Sequence, residues 1–406
     1  MVARESVTPP ASRSLVRRNA QRAGILTGSA MALMLAASSA AQAQCAFSVP
    51  GAGGRIPAGL EQAGSLPASI ATSVTTVSTA FLTQTTAFVA SPPASQPSQF
   101  AGGFWIRGVG GRADVDSAAT GSFSVTNPAL SGTFSCTSST RSTYGGFQTG
   151  IDIGRLDLGG WNVHVGVTGG YLNMFNKTGA ANVHFDVPFV GLYGAVTSGG
   201  FYIDAQIRYD SYDMSLTDPA LGLAGRSLRG KGWGVTSSTG YVFNLGNFIV
   251  EPSLGVVYSR VSVDPLSFTP TAIPVPGTIS FQDIESLLGR AGIRVATNWT
   301  VGSLALQPFA AVSVWHEFAD DLTGTFQCAA PCGGFVNING TAIGDRIGTF
   351  GQYSVGFAGS VPNTPWLGYV RFDYRNGDRF DSINFNGGIR YQFAPEVAPA
   401  VVRARS

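Results

Sequence analysis

For about three hundred residues after Gly102 this sequence keeps a period of two, apolar and polar side chains changing places at almost every step. In the clearest runs Phe201, Ile203, Ala205, Ile207 and Tyr209 alternate with Tyr202, Asp204, Gln206, Arg208 and Asp210. Ile383, Phe385, Ile389, Tyr391 and Phe393 alternate in the same way with Ser382, Asn384, Asn386, Arg390 and Gln392, and Trp161, Val163, Val165, Val167 and Tyr171 behave likewise. Successive side chains of a strand point to opposite faces, so this period dictates strands with one oily and one polar face.

A soluble sandwich would alternate too, and the connections decide between the two. Twelve segments are joined by links that are alternately short and long. The short ones lie near residues 156–160, 198–200, 246–247, 300–303 and 362–365. The longer ones run near 117–142, 176–180, 217–226, 264–276 and 320–348, with a brief one at 376–378. An even strand number with tight turns at one end and longer loops at the other is the pattern of an outer-membrane barrel, whose closure leaves no unpaired edge in lipid. Charged residues make up 12% of the chain, about half the usual share, and Gly accounts for 53 of 406 residues, which suits walls that meet lipid outside and a lumen inside.

The N-terminal 43 residues order Arg13, Arg17, Arg18 and Arg22 ahead of an uncharged run from Gly24 to Ala37 and then Ala41-Gln42-Ala43. That is a secretory signal peptide with cleavage expected between Ala43 and Gln44, and the run is too short for a membrane-spanning helix. Asn19-Ala20-Gln21 follow Arg17-Arg18 where twin-arginine export wants apolar residues, and Gln44 before Cys45 argues against a lipid anchor. Losing five Arg and one Glu with the signal takes the formal charge from +2 to −2, which excludes nucleic acid as a partner by charge.

Residues 44–65 read as a Gly/Pro-rich extension, 22 residues long. Over 66–90 the period changes: Leu66, Ile70, Val74, Val77, Phe81 and Phe88 recur at helical spacing among Ser and Thr, and Pro92, Pro93 and Pro97 end the pattern. A helix so rich in Thr and Val persists only if something encloses it. The expected division is therefore a signal at 1–43, an extension at 44–65, a helical segment at 66–92, a linker at 93–100, a barrel at 101–393 and a tail at 394–406. Four cysteines behind an export signal imply disulfides, and Cys328 and Cys332 suit a local loop staple. Two Cys and three His, none near that pair, make a poor metal set, and no cofactor is expected.

The stretch from Phe81-Leu82-Thr83-Gln84-Thr85 through Phe104-Trp105-Ile106-Arg107-Gly108 resembles the helix-to-first-strand junction of autotransporter β-domains. Tyr369-Val370-Arg371-Phe372-Asp373-Tyr374 and Asn386-Gly387-Gly388-Ile389-Arg390-Tyr391-Gln392-Phe393 resemble the last two strands of that family. Asn162-Val163-His164, Val187-Pro188-Phe189-Val190-Gly191 and Glu251-Pro252-Ser253 fall between them, and the likeness covers roughly residues 66–393. The resemblance implies an all-β, twelve-stranded antiparallel barrel with the N-terminal helix threaded through its lumen. It further implies type V secretion, here largely without a passenger, with loops and the short extension displayed at the cell surface. Lipid, periplasmic chaperones and the barrel-assembly machinery are the implied partners. Family members that cut themselves use an Asn in the lumenal helix, and residues 66–90 contain none, so self-cleavage is not expected. If the threaded helix emerges outside near the first long loop, Cys45 meets Cys136 there.

Arg208, Arg290, Arg294, Arg371, Arg375 and Arg390, with Asp204, Asp210, Glu251 and Asp373 as partners, fall on the inward phase and read as a lumenal charge network. The alternative is a porin-like channel whose arginines favour anionic solutes. His316, Glu317, Asp320 and Asp321 stand at an outer strand end where a barrel hydrolase would place its acids and His, but structural or surface roles suit them better, and His164 and His184 fit lumenal positions. No enzymatic machinery is expected.

Overall fold

The computed structural model describes residues 44–48, 60–80, 98–126, 130–219, 221–269, 277–302, 304–328, 338–361 and 364–393. Strand β1 (Gln44–Ser48) and helix α1 (Leu60–Ala80) come first. Then follow β2 (Gln99–Val125), β3 (Leu130–Leu156), β4 (Asn162–Thr178), β5 (Ala181–Ser198), β6 (Phe201–Asp218) and β7 (Leu223–Tyr241). The second half holds β8 (Phe243–Leu245), β9 (Phe248–Val263), β10 (Leu266–Phe268), β11 (Gly277–Phe281), β12 (Ile284–Thr297) and β13 (Trp299–Val301). It ends with β14 (Leu304–Glu317), β15 (Leu322–Cys328), β16 (Ile338–Gly344), β17 (Thr349–Ser360), β18 (Trp366–Gly377) and β19 (Phe380–Gln392).

Strands β2 to β7, β9, β12, β14 and β17 to β19 each pair antiparallel with the next, and β19 returns to β2 from Phe380↔Val115 to Gln392↔Gly103, closing a ring of twelve. Closure satisfies the wall's backbone groups and removes the edges that lipid would not tolerate. Tight turns gather at one end, several of them on left-handed glycines such as Gly199 (φ 56°) and Gly246 (φ 65°), where a Cβ would be strained.

The wall is inside-out relative to a soluble protein. On β6 Ile203, Ile207 and Tyr209 are exposed while Asp204, Gln206, Arg208 and Asp210 are buried. Val165, Val167, Val190, Leu192, Val312, Val314, Val355 and Phe357 continue the exposed apolar band around the barrel, far more than a water-facing surface carries. Aromatic pairs border it: Trp161 with Phe201 and Trp366 with Tyr391 by the tight turns, Trp233 with Tyr258 and Tyr353 with Tyr374 at the other limit.

Beyond that band the polarity inverts. On β6 Tyr212, Met214 and Leu216 now point inward and are buried, while Ser211, Asp213 and Ser215 point out. Strand β5 changes over in the same way, with Val183, Phe185 and Val187 inward and His184 and Asp186 outward. These inward residues, with Phe123, Phe134, Leu172 and Met174, form the largest apolar core, and Leu66, Ile70, Val74 and Val77 of α1 sit in it.

Three expectations are corrected here. Residues 117–142 are mostly not loop: β2 and β3 stay paired from Gln99↔Leu156 to Val125↔Leu130, because their alternation continues with Ser and Thr in place of oily outward residues. Likewise 264–276 and 320–348 contain β10, β15 and β16, which pair into the outer sheet. The helix begins at Leu60, not 66, since Leu60-Glu61-Gln62-Ala63 are good helix formers and Gly64 and Pro67 do not interrupt it. Residues 81–97, which include the remainder of the expected helix and its prolines, lie outside the described residues, as do 1–43 and 394–406.

Candidate functional site: the lumen and its outer cap

Every described side chain of α1 is buried: Leu66, Ser69, Ile70, Thr72 to Val77, Thr79 and Ala80. A helix covered on apolar and hydroxyl faces alike is enclosed, not laid on a surface. Several hydroxyls turn back onto their own helix, Ser73 donating to the Ser69 carbonyl at 2.7 Å and Thr76 to that of Thr72 at 3.0 Å, which hides them from the apolar core. Others reach the wall: Ser69 and Thr140 hydroxyls are 3.4 Å apart, Asn176 donates to Ser73, and Arg375 donates to Thr79 at 3.4 Å.

Below the helix the inward face is rich in charged residues, some paired with one another and others bonded to neutral side chains. Asp152 is fully buried and accepts two bonds from Arg390 (2.6 and 2.7 Å) and one from the Tyr193 hydroxyl (2.8 Å), with His164 Nδ1 at 3.1 Å. Trp105 donates to Tyr193 at 2.6 Å, so five strands of the wall meet in one cluster. Asp373 accepts from Arg371 (3.0 Å), Gln352 (3.1 Å), Ser354 (2.5 Å) and Asn386 (3.0 Å). Arg294 donates to Glu251 at 3.1 Å and Gln307 at 2.7 Å, Arg208 lies 2.7 Å from Asp210, and Ser238 donates to Asp204 at 2.7 Å. Arg290 donates to Ser253 at 3.2 Å, Arg375 to Gln352 at 3.2 Å, and Arg107 to Gln148 at 2.9 Å. Buried charges persist only when paired and bonded in this way, since an orphaned one costs about 3–5 kcal/mol.

The ten charges read from the sequence all face inward, in several groups rather than one site. Sequence reasoning missed Asp152, which draws on three strands besides its own, together with Arg107, Tyr193 and Trp105. The signal was present: Asp152 sits between Ile151 and Ile153, on the inward phase of an oily strand.

At the outer end β1 pairs with β3, Cys45 opposite Cys136, and the two are joined by a disulfide across a Cα separation of 4.0 Å. Cys328, at the end of β15, is also disulfide-bonded, and Cys332 lies outside the described residues. Gln44 opens β1, whereas Ala43 is outside the described residues. His316 and Glu317 point to opposite faces of β14. His316 is exposed with Nδ1 at 2.6 Å from the Thr349 hydroxyl, while buried Glu317 accepts from Ser286 (2.5 Å) and the Leu287 N–H (2.6 Å). Asp320 uses its carbonyl to accept from Arg346 at 2.7 Å, and Asp321 directly precedes β15. His184 is half-exposed beside Asp186 on the outer wall, not in the lumen. Near the outer end of β9 Arg260 donates to Asp283 at 2.6 Å and holds that carboxyl below the usual carboxylate range.

The autotransporter β-domain family model matches residues 104–364. The probable autotransporter YcgV of Escherichia coli strain K12 is 24% identical over 299 residues, covering 72% of this chain and 28% of that protein. This chain thus spans about a quarter of that relative's length. Among solved structures, the transport unit of the autotransporter AIDA-I from Escherichia coli aligns with a TM-score of 0.59 at 18% identity, over 80% of this chain and 98% of that one. The β domain of the Bordetella autotransporter BrkA aligns with a TM-score of 0.51 at 21% identity, over 72% and 100%.

Proposed function

The chain belongs to the autotransporter β-domain family, whose members are outer-membrane barrels, and from that premise we propose that it carries its own N-terminal segment through the lumen and holds it at the cell surface. The observation that supports this reading is the helix, buried on every described side inside a closed ring, with a strand on its N-terminal side stapled to the outer end of β3. Residues 1–43 act as the export signal, released between Ala43 and Gln44, and periplasmic chaperones and the barrel-assembly machinery deliver the chain to lipid. The lumenal charges fill and brace the barrel beneath the helix and perform no bond chemistry. A channel for anionic solutes is the second reading; against it stands the pairing of Arg208, Arg294, Arg371 and Arg390 with carboxylates, which spends the charge an anion would need.

Surface labelling tests the topology. On intact cells, an impermeant maleimide is expected to modify a cysteine introduced by Ser135→Cys, which faces outward on β3 beside the buried Cys136. Labelling only after the outer membrane is opened would overturn the proposal.

A further inference from the structure

Outside the lumen the cap carries an open polar surface that the translocator role does not use. Strands β1, β3, β2, β16, β15 and β11 pair in that order above the membrane band, and their register sets Ser48, Thr133, Ser122, Thr341, Thr325 and Ser280 in one cross-strand row. Two residues along the strands, Ser124, Asn339 and Gln327 stand in the neighbouring row. Adjacent strands lie about 4.8 Å apart, so the two rows form a grid of hydroxyls and amides spaced a few Å from one another. A cavity of about 640 Å³ opens over this grid, and its described lining contains Ser, Thr, Asn, Gln, Gly and two Phe but no Asp, Glu, Lys, Arg or His.

We infer that this cavity binds a neutral carbohydrate chain. A phosphate, sulfate or carboxylate ligand would call for cationic donors, and the described lining has none. An apolar ligand would call for oily walls, whereas the side chains that these strands turn outward are hydroxyls and amides, with Phe123 and Phe326 buried behind them. What remains is a ligand that both donates and accepts at many closely spaced points, as hydroxyl and amide side chains do. The sheet is also preorganised, because the ring of Phe326 lies where a Cβ on Gly340 would stand, 1.8 Å away, and the ring of Phe123 lies 2.9 Å from a Cβ on Gly132. Those rings pack the rear of the sheet so that the grid stays flat before ligand arrives, which removes ordering cost from binding.

The site lies on the cell-surface face only if the proposed orientation is right, so the experiment separates the two claims. The purified full chain in detergent is titrated with maltoheptaose, chitohexaose and dextran, with heparin as the anionic probe and bovine serum albumin as a protein blank. At least one neutral glycan is expected to bind in the millimolar range or tighter, and heparin is not. Gln327→Ala with Asn339→Ala should weaken that binding at least about fivefold, by loss of amide hydrogen bonds. Thr133→Trp, which fills the cavity, should abolish it, whereas Thr137→Ala, on the same strand beyond the cavity, should leave it unchanged. Heat-modifiable gel mobility verifies that each variant is a closed barrel. Absence of neutral-glycan binding, binding of heparin alone, or equal binding by Thr133→Trp would overturn the inference. A self-association broken by the same variants without any glycan binding would overturn it in favour of a second copy. Glycan binding by purified protein but not by intact cells would support the site and refute the orientation.

Discussion

Two zones of one barrel obey opposite rules. In the membrane band β6 shows Ile203, Ile207 and Tyr209 to lipid and keeps Asp204, Arg208 and Asp210 inside; a few residues on, Tyr212, Met214 and Leu216 are inside and Ser211, Asp213 and Ser215 outside. The strand itself is continuous and its period unbroken. What changes is the solvent on its outer side, and with it which phase of the alternation must be apolar. Oily residues face out where hydrocarbon waits, and face in where water surrounds the wall and the helix offers something to pack on. The changeover lies by the outer aromatic border, Trp233 and Tyr258, so polarity along a strand marks the membrane limit.

The same substitution made in each zone sharpens this contrast. Met214→Arg puts an unpaired charge into the apolar core around the helix and is expected to cost on the order of 4 kcal/mol, read as loss of folded barrel in urea-dependent refolding into lipid vesicles. Arg390→Leu is expected to cost about 3–5 kcal/mol, because Asp152 is left buried without its two guanidinium bonds; adding Asp152→Asn should recover most of that loss. A full-sized effect of Arg390→Leu that Asp152→Asn does not relieve would argue for lost packing instead. Ile207→Arg on the lipid face should cost about 2–4 kcal/mol, whereas Ser215→Arg, outward on the same strand but in water, should stay within about 0.5 kcal/mol. Equal costs at the two positions would erase the zone boundary. The smallest effect on the barrel is expected from Cys45→Ser: the five-residue ladder of β1 alone is marginal, so β1 becomes protease-sensitive while the refolding midpoint hardly moves.

Much of this architecture was legible in the chain. Period two revealed the twelve wall strands, and the inward phase located charges such as Arg294 and Asp373. The cap was not legible as strand, because the search for oily outward faces fails where Thr120, Ser122 and Ser124 face water and Phe123 faces in. Reading either phase as the apolar one would have kept β2 running to Val125. Asp152 went unassigned, and His164, placed in the lumen by its phase, was given no partner, because sequence shows which face a side chain takes but not which strands bring partners across a lumen. The helix start was misplaced because the apolar period begins only at Leu66, whereas Leu60-Glu61-Gln62-Ala63 carry helix propensity without a period.

The central claim is that the N-terminal helix occupies the lumen of the closed ring, and single-channel conductance in a planar bilayer tests it most directly. The intact mature chain is expected to be nearly silent and a chain lacking residues 44–92 to conduct. Equal conductance from both would contradict the account and put the channel reading first.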